Sequence, residues 1–129
     1  MNAKSLLTAT AALELPTGVA LLAAPSFVAK LLLGEALDPG TPIVLGRVAG
    51  AALVAIGLSC FAERGTAGHS GLPIGLLTYN AAVAVLLAHA ALIGHMRGPV
   101  LWPAVVAHAL LARWCARRVL RQASALSSH

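Results

Sequence analysis

Glu14, Arg47, His89 and His108 combine acid–base or ligand chemistry with positions inside long apolar stretches. Each such group costs a few kcal/mol to hold away from water, so each calls for a partner or a purpose. Counting helical rise from the nearest turns places Glu14 about 16 Å, His108 about 13 Å and His89 about 10 Å from one boundary. Arg47 enters from that same boundary, and its long side chain reaches several ångströms further inward. The spacing therefore predicts one intramembrane polar layer drawn from four segments. Glu14 facing Arg47 is expected as a register-fixing ion pair, with proton or cation handling as its functional alternative. His89 and His108 are expected as imidazoles bonded to hydroxyl, amide or carbonyl groups. Their functional alternatives are a metal-ligand pair, a proton relay or bis-histidine haem ligation. No cofactor is the default expectation; haem, quinone or a metal ion at this layer is the alternative.

Secondary polar residues extend the pattern. Thr10, Glu14, Thr17 and Gly18 follow i, i+3, i+4 spacing and make a polar, small-residue stripe. Arg47, Gly50, Val54, Gly57 and Cys60 share a face on the second segment, and Ala104, His108, Ala112 and Cys115 share one on the fourth. Asn80 lies about half a turn from His89, so the third segment joins the layer either through His89 or through Tyr79 and Asn80, and the spacing leaves that choice open. Gly46-x-x-x-Gly50 has the spacing that lets helices approach closely. Cys60 and Cys115 approach the same end. With no CxxC or metal spacing they are expected to pack rather than bond. Pro16 is expected to kink its helix and free a carbonyl near Glu14.

The elements that position these residues are four apolar stretches, Ser5–Ala24, Pro42–Ala62, Leu72–Ile93 and Val100–Val119. At about 20 residues each they match a hydrocarbon core of roughly 30 Å. Composition agrees: 59% hydrophobic and 10% charged residues, with mean hydropathy +0.86, leave too little polarity to cover a water-facing surface. The expected fold is all-α, a single polytopic domain with four transmembrane helices. The first stretch has features of a secretory signal, but Glu14, Pro16 and Pro25 favour a retained span. Pro25–Gly34 is too short to span and is expected as an interfacial helix or a continuation of the first span, stopped at Gly34. Asp38, Pro39 and Gly40 signal a turn, after which Thr41 is expected to cap a helix with Pro42 at its first position. Residues 65–71 are expected as a flexible loop, Arg97-Gly98-Pro99 as a tight turn and 122–129 as a disordered tail. His69, His95 and His129 fall in loops or tail.

Charge sets orientation. Lys4, Arg64, Arg113, Arg117, Arg118 and Arg121 fall on one side, and Lys30, Arg47 and Arg97 on the other. Six against three places both termini in the cytoplasm. Trp102 and Trp114 lie near opposite ends of the last span, where indoles favour the interface. The arginine-rich end of that span is expected to anchor to anionic headgroups. The net charge of +5 does not suggest nucleic acid, because the basic residues sit at segment ends and not in one patch.

From Pro16 to about residue 60 the layout resembles the DoxX-like small four-helix membrane proteins. The resembling elements are a first span closing on Pro25, an apolar segment ending Leu33-Gly34, and Arg47 entering the second span ahead of Gly50 and Gly57. The resemblance implies architecture. Its members are varied or unknown in function, some tied to quinone-linked sulfur oxidation or thiol redox, and Glu14, His89 and His108 do not carry over from it. No phosphate loop, nucleophile elbow, paired carboxylates or HExxH occurs, so an enzyme is not expected. The leading expectation is an accessory or scaffold subunit of a bacterial inner membrane. It would pack through faces carrying Gly18, Gly46, Gly50 and Gly57 against copies of itself or a larger membrane protein. Proton or metal handling and a redox subunit are the alternatives.

Overall fold

The computed structural model describes residues 3–64 and 72–126. Its elements are α1 (Ala3–Ala23), α2 (Pro25–Leu33), α3 (Thr41–Glu63), α4 (Leu72–Leu92) and α5 (Leu101–Leu126), and the fold is all-helical among the described residues. The expected loop 65–71, with His69, and the end of the tail, with His129, lie outside the described residues. The tail expectation needs correction over 122–126, which continues α5. Gln122, Ala123 and Ala125 are compatible with helix, so nothing there stops it.

Three helices, Lys4–Ala23, Thr41–Glu63 and Leu72–Leu92, are long and apolar enough to cross a membrane. Their surfaces fit that solvent, because large apolar side chains such as Leu45 (62% exposed), Val85 and Leu86 (both 67%) point outward. Exposed hydroxyls close on their own helices: Ser59 donates to the Ala55 carbonyl at 2.9 Å and Thr78 to that of Ile74 at 3.1 Å. A hydroxyl satisfied within its own helix needs no water. The chain is thus consistent with a place in a membrane. α5 is the longest helix, at 26 residues, but Arg113, Arg117, Arg118 and Arg121 make it too charged from its midpoint on to count with the other three. The four-span expectation therefore differs from the number of helices that are apolar along their whole length.

The helices associate as two antiparallel pairs, α1 with α3 and α4 with α5. Glycine sets the first pair. A Cβ on Gly18 would meet the Gly50 carbonyl oxygen at 2.7 Å, and one on Gly50 would meet that of Gly18 at 2.8 Å. Further along, Gly57 faces Leu15, and Gly46 faces Pro25 and Leu37. These close approaches maximise dispersion contact where lipid offers no hydrophobic drive for association. The glycine faces expected to receive a partner are thus occupied by the chain's own α1, α2 and the turn that follows it.

α2 is a separate short helix and does not continue α1. The chain breaks at Ala24, with φ −142° and ψ 64°, and restarts on Pro25. It stops at Gly34, whose φ of +93° suits glycine and whose Cα lies against Arg97 and Gly98. The turn between α4 and α5 docks there. Arg97 N–H donates to the Leu33 carbonyl at 3.2 Å and Val100 N–H to that of Leu31 at 3.1 Å. Carbonyls that the helix end leaves unpaired thereby find donors. Gly98 touches the backbone of Leu32, which leaves no room for a side chain. At the start of α3, Gly40 takes the capping position with no side-chain bond, so Thr41 is the first helical residue and not the cap expected for it. α1 runs unbroken through Pro16.

Candidate functional site

The polar residues of the interior converge between α1, α4 and α5. The α1 face bearing Leu6, Leu7, Thr10, Ala11 and Glu14 is buried, with Glu14 only 1% exposed and Thr10 fully covered. From α4 come Tyr79 and Asn80, and from α5 comes His108, of which Asn80 and His108 are buried. Below them lies an apolar cluster in which Leu6, Leu76 and Leu111 pack with the free thiols of Cys60 and Cys115. Both cysteines are fully buried, in line with a packing role.

The contacts form a chain. The Asn80 amide Nδ2 donates to the Leu76 carbonyl at 2.8 Å, one turn back on its own helix. That donation leaves Asn80 Oδ1 as an acceptor, and His108 Nδ1 lies 2.8 Å from it. His108 therefore carries a proton on Nδ1, which in the neutral ring makes Nε2 the lone-pair atom. The Tyr79 ring stands edge-on to the imidazole, with centroids 5.8 Å apart and planes at 82°. Its hydroxyl donates to Glu14 Oε2 at 3.0 Å. Two buried oxygens end the chain with no hydrogen-bond partner among the described residues: Glu14 Oε1, and Thr10 Oγ1 one turn away on α1. Buried oxygens in this state are uncommon and costly, so they mark the spot as unusual.

Two members of the expected layer stand elsewhere. Arg47 is exposed, and among the described residues no ion pair joins it to Glu14. The reason is rotational: Gly46, Gly50 and Gly57 form the contact face of α3, and Arg47, one residue on from Gly46, is turned about 100° away. His89 is also exposed. It lies nine residues from Asn80, hence about 180° around α4, and Asn80 owns the buried face. His89 and His108 therefore do not face each other as the metal or haem alternative for this pair would need. Among the described residues no group of three or more His, Cys, Asp or Glu could hold a metal ion. Thr17 does not join either, because its hydroxyl donates to its own Leu13 carbonyl at 2.8 Å. Thr10, Glu14, Tyr79, Asn80 and His108 are brought together.

The missed elements are the partnerships. The Tyr79–Glu14 bond has no signal in spacing, since 65 residues separate the two. The available clue is that Tyr79 and Asn80 are adjacent polar residues in a largely apolar helix, where each needs a partner. No family model, curated protein or solved structure matches this chain.

Proposed function

We propose that this chain is a small bacterial inner-membrane protein that crosses the bilayer four times and moves protons through Glu14, with Tyr79 and His108 as its relay. Both termini are on the cytoplasmic side in this reading, supported by the six-to-three distribution of Lys and Arg. α5 serves as the fourth span. Its 26 residues reach about 39 Å, it lies alongside α4, and its arginines are confined to Arg113 and beyond, where they snorkel to the headgroups.

The observation that carries the reading is the Glu14 carboxyl: enclosed by protein, bonded by Tyr79 on one oxygen, and unpartnered on the other. An acidic group in a span is expensive, and a purely structural one would be expected to have both oxygens satisfied. Tyr79 and His108 bear exchangeable protons and stand next in line. The glycine faces offered to a scaffold partner are already filled from within the chain, which weighs against the accessory-subunit alternative.

Reconstitution into liposomes loaded with a pH-sensitive dye tests the proposal. The native chain should dissipate an imposed pH gradient faster than empty liposomes, and Glu14→Gln should abolish the excess. Gln keeps an acceptor for Tyr79 and so preserves the packing while removing the titrating group. Native flux equal to that of empty liposomes, or undiminished flux in Glu14→Gln, refutes it.

A further inference from the structure

Outside the cluster, the outer surfaces of α1 and α5 enclose a groove of about 670 Å³. That size falls within the roughly 300–1,000 Å³ of pockets that hold one small ligand. Its two halves differ in chemistry. One is walled by Ala9 and Leu13 of α1 and Ala107 and Leu110 of α5, with no polar side chain among them. The other is ringed by Arg113, Arg117, Arg118 and Arg121, with Trp114 at the junction and no acidic residue in the lining.

We propose that this groove holds one anionic phospholipid, an acyl chain lying along the alanine and leucine wall and the phosphate gripped by the arginines. Four guanidiniums with no acidic residue beside them among the described lining residues form a strongly positive mouth, and guanidinium binds phosphate oxygens in a two-pronged geometry that ammonium does not match. Basic pockets between membrane helices are the setting in which acidic headgroups are recognised. The apolar half selects the lipid over a free phosphate, because a soluble anion gains nothing from it. Trp114 occupies the level between tail and headgroup that indole prefers. The site shares no residue with the Glu14 cluster, so it stands or falls apart from the proton reading.

The test uses the full chain in phosphatidylcholine vesicles, with Trp102→Phe so that Trp114 is the sole indole emitter. Spin-labelled phosphatidylglycerol should quench Trp114 and saturate at a much lower mole fraction than spin-labelled phosphatidylcholine. Replacing Arg117 and Arg118 together by Gln should weaken the preference about 30-fold, each arginine near an anionic headgroup being worth about fivefold. Ala9→Leu and Ala107→Leu, made separately, should each reduce quenching while keeping every arginine. Equal quenching by the two lipids overturns the proposal. So does full quenching in both groove-filling variants, which would mean surface adsorption alone. Displacement of the labelled lipid by inorganic phosphate would also overturn it, by assigning the arginines to a soluble anion.

Discussion

Replacing Gly50 by Ala measures how far the α1–α3 contact depends on the absence of a side chain. The new methyl would lie 2.8 Å from the Gly18 carbonyl oxygen and 2.9 Å from both the Leu22 amide nitrogen and the Leu21 Cβ. Two of these three are backbone atoms, and the third is fixed to it, so no side chain can rotate away. Ordinary contact begins near 3.4 Å, so the two helices must part by about 0.6 Å. A gap of that order forfeits a quarter or more of the attraction between each facing atom pair along the seam. Overpacking of this kind costs about 1–3 kcal/mol, and alanine returns about 0.5–1 kcal/mol through its better helix propensity. The net is a loss of roughly 0.5–2 kcal/mol, set by those two opposing contributions. Gly75 provides the control, because a Cβ there meets nothing within 4 Å. Gly75→Ala should stabilise by about 0.5–1 kcal/mol, the propensity gain alone. Equilibrium unfolding in mixed micelles, followed by helical circular dichroism, should therefore give opposite signs. A Gly50→Ala variant as stable as Gly75→Ala would refute the reasoning, since it would mean that the helices do not approach as closely as described.

Other perturbations probe the site and its supports. Tyr79→Phe removes the one donor to the Glu14 carboxyl and should cost about 1–3 kcal/mol of stability in the same unfolding assay, whereas an unchanged midpoint would deny that bond any weight. Gly98→Ala drives a methyl into the Leu32 backbone and should undock the α4–α5 turn from α2, seen as faster proteolysis or labelling near Arg97; protection equal to that of the native chain would count against the docking. Arg47→Gln, at an exposed position remote from Glu14, should change stability by less than about 0.5 kcal/mol and leave proton flux intact. Loss of flux in that variant would restore the ion pair that the structure does not form.

Helix positions were largely legible in the sequence because length and apolarity dictate them. Pro25 and Gly34 bounded α2 through backbone restrictions that need no tertiary knowledge. Facing was harder. A helix apolar all round, such as α4, gives no sided pattern to separate Tyr79 and Asn80 from His89, and local spacing says only that the two sets point apart. A shared-face argument places Arg47 in the interior. The fold turned the neighbouring glycine inward instead, since close contact with α1, Pro25 and Leu37 needs the residue without a side chain. Glu14 and His108 were recognisable by cost alone, but what they bond to depends on how two helix pairs meet.

The docking of the α4–α5 turn onto α2 bears on how the protein is made. Leu31 and Leu33 belong to the first third of the chain, yet the donors that complete their carbonyls come from Arg97 and Val100. Until the α4–α5 turn has been made, the Leu31 and Leu33 carbonyls at the end of α2 lack those donors. The end of α2 is thus completed by residues more than 60 positions further along the chain, which ties the early helices to the late hairpin.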